Sequence, residues 1–372
     1  VMLTKRIKLF IHREPVLCIA ALMALLSIII VPPSFVYAEY IDLRVLCLLF
    51  CFMAVIAGFQ DCGLFELMAK RMLTGEKTFR RVSILLVLLP FFSSMLVTND
   101  VSLIAFVPFT VFVLNKTGRQ DARIRIIVLQ TVAANLGSMA TPVGNPQNLF
   151  LYAHYSLGIG DFLSLLLPLT LVSLLLLTGA AALGGGERVS IAFAGGTALK
   201  HKKRFAVYAV LFVLCLLSVL RVLPYGILTA IVAVSLIIVS PRLLRRVDYG
   251  LLLTFVCFFI FSGNLGQLPA VHEALSRLIS GNTLLCSALV SQGISNVPAA
   301  VLLSGLTSDW RGLLAGVDVG GLGTPVSSLA SLISMKYYFT LEDHRAGRYI
   351  LFFTLVNAVG LAILLPIAAL IV

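Results

Sequence analysis

Seven apolar stretches constrain this chain before any motif does. Residues 15–36, 42–59, 161–183, 205–222, 226–240, 249–266 and 349–371 each approach the roughly 20 residues needed to cross a bilayer core, 226–240 only just. Backbone in lipid must satisfy its own hydrogen bonds, and apolar runs of this length do so as helices. The expectation is an all-α membrane protein with little room for a soluble domain. Composition agrees: 60% of residues are hydrophobic and 12% charged, against about 25% charged in soluble domains.

The net charge of +12 does not point to nucleic acid, because Lys and Arg accumulate in cytoplasmic loops of membrane proteins. The cysteines lie mostly in apolar runs with no metal-ligand spacing, and read as packing residues. The basic start (Lys5, Arg6, Lys8, Arg13), an apolar stretch and Val36-Tyr37-Ala38 also fit a cleavable signal peptide. The repeat described below needs a full first crossing instead.

Of the 28 basic residues, 24 fall in six segments: the N-terminus, 60–81, 115–125, 184–204, 241–248 and 336–348. Placing all six in the cytoplasm gives one consistent path with the N-terminus inside, on one condition. Segment 82–114 is apolar but basic at both ends, so it enters and leaves on the same side. It reads as a re-entrant hairpin with Thr98-Asn99-Asp100 at its tip. By the same logic 281–306 enters and leaves from outside, with Ser295-Asn296 at the tip. Irregular backbone at such depth is tolerated only inside protein or along a cavity, which makes both tips candidate sites.

The halves also resemble each other in order. Residues 43–61 match 249–267 in character, the amphipathic pieces 62–74 and 268–280 follow, and Thr98-Asn99 falls opposite Ser295-Asn296. The stretch ANLGSMATPVGNPQN at 134–148 then aligns with VDVGGLGTPVSSLAS at 317–331, placing Thr141-Pro142 on Thr324-Pro325, Gly137 on Gly320 and Asn135 on Asp318. Proline and glycine at these centres predict two broken helices, 126–157 and 312–338. With the hairpins entering from opposite sides, the repeats are inverted. The expected organisation is a first repeat over 1–183, a linker loop and extra crossing over 184–225, and a second repeat over 226–372, with about nine full crossings in all. Inverted repeats with discontinuous helices mark secondary transporters, whose substrate lies at the midplane.

On these residues the chain resembles the ion transporter superfamily, which holds divalent anion:sodium symporters, citrate–metal symporters and arsenite permeases. The resemblance spans roughly residues 40–371. It rests on a Ser/Thr-Asn tip in each half followed by a Thr-Pro broken helix, above all Ala140-Thr141-Pro142-Val143-Gly144-Asn145-Pro146-Gln147-Asn148. It implies an elevator-type homodimer in the inner membrane, with a static scaffold, a mobile transport domain and the amphipathic pieces as connecting arms. Similar dicarboxylate symporters carry neutral Ser-Asn-Thr tips. Asp100 at the first tip and Val297-Pro298 at the second depart from that pattern and tilt the resemblance toward arsenite permeases.

The candidate substrate- and ion-binding residues are therefore Thr98, Asn99 and Asp100 at the first tip, and Thr141, Pro142, Gly144, Asn145 and Asn148 in the first broken helix. Ser295 and Asn296 at the second tip, with Asp318, Gly320, Thr324 and Pro325 in the second broken helix, complete the set. Asn99 and Asn296 either cap half-helices or hold sodium. The hydroxyls of Thr98, Thr141, Ser295 and Thr324 either bind ligand or bond back to their own helices. Asp100 and Asp318 are the only carboxylates placed deep in the membrane, with no Lys or Arg at comparable depth. Each escapes the cost of burial by taking a proton or a cation. The coupling ion is H+ or Na+, with no further cofactor. Expected partners are a small solute, lipid and a second copy.

The functional expectation is ion-coupled transport of a small anion or oxyanion: a carboxylate, an inorganic anion or an arsenite-like species. A cation/proton antiporter on the same scaffold and a pore are the alternatives. Gly158-Ile159-Gly160-Asp161 matches the GxGD pattern of intramembrane aspartyl proteases, a remote third.

Overall fold

The computed structural model describes residues 14–191, 193 and 199–372; the basic start (Lys5, Arg6, Lys8, Arg13) lies outside them. Helix α1 (Pro15–Ile30) starts on a proline, whose missing amide costs nothing at a first position, and stops before Pro32-Pro33. A short α2 (Tyr37–Tyr40) leads to α3 (Leu43–Asp61), where the Asp42 carboxylate accepts the Val45 amide at 3.0 Å. Helix α12 (Tyr249–Gly266) starts in the same way, with Asp248 accepting the Leu251 amide at 2.8 Å. An N-cap of this kind contributes about 1 kcal/mol, and it stands at the same point of both aligned segments, 43–61 and 249–267.

After α3 comes the amphipathic α4 (Leu64–Leu73). The segment read as the first hairpin is α5 (Phe79–Ser93), a break, and α6 (Asn99–Lys116). The first broken helix is α7 (Arg123–Ser138), a break, and α8 (Pro146–His154), followed by α9 (Ile159–Ala182). Two helices, α10 (Lys202–Val219) and α11 (Tyr225–Val239), precede α12. The second half continues through α13 (Pro269–Ser280), α14 (Thr283–Ile294), α15 (Asn296–Ser304), α16 (Trp310–Val319), α17 (Leu329–Phe339) and α18 (Ala346–Ile371).

Among the described residues, five helices (α3, α6, α9, α12 and α18) are long and apolar enough to cross a membrane by length and composition. Residues 16–30, 225–239 and 283–294 form apolar helices of fewer than 18 residues. Helix α11 rises about 22 Å, short of a hydrocarbon core.

The fold is not wholly helical. Gly75–Thr78 (β1) pairs antiparallel with Arg188–Ile191 (β2), Gly75 opposite Ile191 and Thr78 opposite Arg188. This ribbon ties together two loops far apart in sequence. The Phe79 and Arg80 amides extend it by donating to the Glu187 and Gly185 carbonyls. Charge counting assigns such loops to a side of the membrane but carries no pairing information, which is why the ribbon was not expected.

Helix α1 lies along α12, and α3 packs on α10 and α11. Against these stand α5–α9 and α14–α18, whose contacts are reciprocal. Helix α5 packs on α7 as α14 does on α16; α6 meets α17 as α15 meets α8; and α9 and α18 each touch both α7 and α16. A two-fold relation between halves generates this pattern. The candidate residues lie where the two halves cross.

Candidate functional site

Each half builds its break in the same way. The Asn99 amide donates to the Gly144 carbonyl at 3.2 Å, and the Asn296 amide to the Ser327 carbonyl at 2.9 Å. In the alignment above, Ser327 is the counterpart of Gly144. The Thr141 hydroxyl donates to the Met95 carbonyl at 2.5 Å and the Thr324 hydroxyl to the Gln292 carbonyl at 2.8 Å. Met95 and Gln292 stand equally far before Asn99 and Asn296. A Cβ on Gly137 would meet the Phe91 carbonyl oxygen at 2.1 Å, and one on Gly320 would meet the Ala288 Cα at 2.7 Å. Phe91 and Ala288 are again equivalent positions. Glycine is required because the first leg of each hairpin crosses the broken helix with backbone nearly touching backbone.

The breaks also contact each other across the halves. Asn99 donates its Nδ2 to Asn135 Oδ1 at 2.9 Å, and Ser328 donates its hydroxyl to the same oxygen at 3.0 Å. Asn135 Nδ2 reaches Ser331 Oγ at 3.4 Å. In the mirrored position, Asp318 Oδ1 accepts Asn145 Nδ2 at 3.3 Å and Gln147 Nε2 at 3.2 Å. Four half-helices, α6, α8, α15 and α17, thus begin around one junction, with Asn145 capping α8 through the Asn148 amide at 2.8 Å. Helix N-termini carry partial positive charge and unpaired amides, so a cluster of four favours an anion.

At the tips, both asparagine oxygens turn toward their own helices. Asn99 Oδ1 accepts the Asp100 amide at 3.0 Å and Asn296 Oδ1 accepts the Val297 amide at 2.9 Å. The tips differ in strain. Thr98 is extended at φ −58°, whereas Ser295 sits at φ +76°, ψ 155°, a region essentially reserved for glycine that costs about 1–3 kcal/mol.

Thr98, Asn99, Asp100, Thr141, Pro142, Gly144, Asn145 and Asn148 lie in the first-half break and Ser295, Asn296, Asp318, Gly320, Thr324 and Pro325 in the second. The two sets do not share one environment. Asn145, Asn148, Asn296 and Asp318 are buried, whereas Thr324 is exposed and Pro325 half-buried. Asp100 and Asp318 are separated. Thr98, Asp100 and Asn145 line a cavity of about 390 Å³ shared with Gln60, Arg246 and Asp248, while Asp318 lies behind Asn145.

This cavity and its neighbour bring charged side chains near Asp100. Arg246 lines the first; Glu14 and Lys336 line the second, of about 180 Å³, together with Asp100. Arg246 also pairs with Asp61 at 3.4 Å. Glu14 is the N-cap residue of α1, Arg246 ends the short helical turn Pro241–Arg246, and Lys336 stands in the last turn of α17, which packs on α6. Burial and then Asp248 raise the Glu14 carboxyl above the ordinary carboxylate range, with Lys336 opposing.

Site residues outside the expected set are Asn135, Gln147, Gln292, Ser327 and Ser328. Gln292 threads the second break, donating to the Gly320 and Leu322 carbonyls at 2.8 and 2.9 Å and accepting the Thr324 amide at 2.9 Å. Asn135 had a signal: it aligns with Asp318. Gln292 had none, because its equivalent is Met95.

The long apolar helices are those of a helical membrane protein. The chain belongs to the citrate transporter family, whose model matches residues 1–309. It is 32% identical over 354 residues to an uncharacterized transporter of Methanocaldococcus jannaschii, covering 94% of this chain and 95% of that one. A shorter match, 34% over 140 residues, joins 36% of this chain to 27% of the silicon efflux transporter LSI3 of Oryza sativa subsp. japonica. Among solved structures, the YdaH transporter of Alcanivorax borkumensis, described as having an unusual topology, superposes with a TM-score of 0.56 at 15% identity, over 90% of this chain and 86% of that one. That likeness concerns the fold alone. The GxGD match is thereby set aside: Asp161 is an exposed residue in the first turn of α9.

Proposed function

We propose that this chain is an ion-coupled secondary active transporter of a small anion or oxyanion, held where α6, α8, α15 and α17 begin. The convergence of these four half-helix N-termini is the observation that carries the reading. It offers positive dipole ends and backbone amides to an anion. The citrate transporter family supports a carboxylate, and the partial likeness to a silicon efflux transporter supports an oxyacid.

In this reading the hairpins 82–114 and 281–306 are re-entrant from opposite faces and the repeats are inverted. The helices around α1, α3 and α10–α12 are the scaffold of a homodimer in the inner membrane, with the N-terminus cytoplasmic. The hairpins and broken helices move as the transport body, with α4 and α13 as arms. Coupling is by H+ or Na+, with Asn99 and Asn296 as candidate sodium residues.

The test is flux in proteoliposomes of the purified protein, with citrate, arsenite and silicate offered separately under an imposed pH or sodium gradient. Saturable flux of one of them, driven by one of the gradients, is expected. Flux that fails to saturate, or that ignores both gradients, contradicts the carrier.

A further inference from the structure

Helix α6 carries a stripe of residues, Ile104, Ala105, Pro108, Phe109, Phe112 and Lys116, at the spacing that puts them along one side of a helix. The stripe forms one wall of a cavity of about 670 Å³, larger than the two already described. From Ile104 to Lys116 it rises about 18 Å, against about 15 Å for half of a hydrocarbon core. Ile104 and Phe112 are 53% and 51% exposed, so the apolar part of the stripe is open at both ends.

The facing wall comes from α4, which packs on α6, and from Phe193 and Lys200. The lining is aromatic. Phe65 meets Phe106 edge-on at 6.0 Å, and Phe193 stacks on Phe109 at 5.4 Å and on Phe112 at 6.2 Å. Charge is confined to Glu66, Lys70, Lys116 and Lys200, which leaves the lining at net +2. Glu66 pairs with Lys70 at 2.8 Å, and its other oxygen lies 3.8 Å from Lys200 Nζ. Lys116 Nζ stands 5.9 Å from the Phe112 ring centre. All four charged residues belong to the basic segments 60–81, 115–125 and 184–204, which sit at a water boundary in a transmembrane path.

An apolar wall of leaflet depth beside a net positive charge matches a ligand with an acyl chain and an anionic head. A small soluble anion gains nothing from the phenylalanines, and a zwitterionic lipid gains little from the net charge. Lysines at such a boundary lay their stems on apolar surface and present the ammonium to headgroups. We propose that the cavity between α4 and α6 binds an anionic phospholipid, with an acyl chain along the α6 stripe and the headgroup charge met by the lysines. Glu66 opposes this binding, because it neutralises Lys70 and faces Lys200. Gln60 and Ile104 also line the 390 Å³ cavity, so the lipid borders the space that reaches the first tip. The binding itself does not depend on the transport reading. The topology proposed above adds only that the lipid comes from the cytoplasmic leaflet.

Phe112→Trp combined with Trp310→Phe, which removes the one native tryptophan, places a single fluorophore on the cavity wall. The full-length protein is reconstituted in phosphatidylcholine vesicles with a small fixed share of brominated lipid. Brominated phosphatidylglycerol is expected to quench the tryptophan more strongly than the same share of brominated phosphatidylcholine, by about fivefold in apparent affinity for each net charge. Glu66→Gln should raise that preference, a gain that a misfolded protein does not give. Lys116→Gln together with Lys200→Gln should abolish it, whereas arginine at both positions should keep it. Equal quenching by the two lipids, or a lower preference in Glu66→Gln, overturns the site. A preference that survives the double Lys→Gln change is the general attraction of a basic protein and overturns it as well. Displacement of the brominated lipid by inorganic phosphate or citrate would assign the cavity to a small soluble anion instead.

Discussion

Asn145 donates to Asp318 at 3.3 Å while Ser328, its counterpart, donates to Asn135 at 3.0 Å. The two bonds exchange the same positions between the halves, as a two-fold requires. They hold the breaks of the two broken helices against each other, so that four helix N-termini share one junction. Loss of either bond should loosen both halves.

Asn135 therefore has effects beyond its own helix. Asn135→Ala leaves Asn99 Nδ2 and Ser328 Oγ without their acceptor, at a cost of about 1–3 kcal/mol. A lowered midpoint of thermal unfolding and lost flux are expected. Asn135→Asp retains an oxygen for both donors and should be milder. Wild-type stability and flux in the alanine variant would show that the crossed bonds hold nothing.

The close approach at Gly137 and Gly320 predicts a sharp contrast among glycines. Gly137→Ala drives a methyl group into the Phe91 carbonyl and Gly320→Ala into Ala288, so each should destabilise by about 1–3 kcal/mol or more. Gly179 in α9 has open space around its Cβ position. Gly179→Ala should be neutral or stabilise by about 0.5–1 kcal/mol. Equal unfolding midpoints for all three variants would mean that the hairpins do not press on the broken helices.

Ser295 predicts a gain. Its backbone is held at φ +76°, and its hydroxyl makes only long contacts, 3.4 Å to Asn296 Oδ1 and 3.4 Å to the Ser327 carbonyl. Ser295→Gly should raise the unfolding midpoint by the equivalent of about 1 kcal/mol. Thr98→Gly, at a position with ordinary backbone, should lower it. A drop in the Ser295 variant would assign those long hydroxyl contacts more weight than the strain.

Much of this was legible in the residues. Pro142 and Pro146 with their neighbouring glycines marked the first break, and Gly320 with Pro325 the second. The Thr-Pro match set the register that the paired bonds of Thr141 and Thr324 follow. What was not legible depends on folding in three dimensions. The pairing of Gly75–Thr78 with Arg188–Ile191 joins loops whose composition says only that they are polar. The approach of Arg246 and Lys336 to Asp100 depends on how the Pro241–Arg246 turn and α17 pack beside α6. Gln292 was invisible because its role is peculiar to the second half.

The account stands most directly on the opposite entry of the two hairpins. Single cysteines at Arg81, Lys116, Ser280 and Thr307, in a version lacking the seven native cysteines, can be labelled in intact cells with a membrane-impermeant thiol reagent. The prediction is that positions 81 and 116 react only from the cytoplasmic face, and 280 and 307 only from the outer face. Labelling of either pair from opposite faces, or of all four from one face, would contradict the inverted repeat.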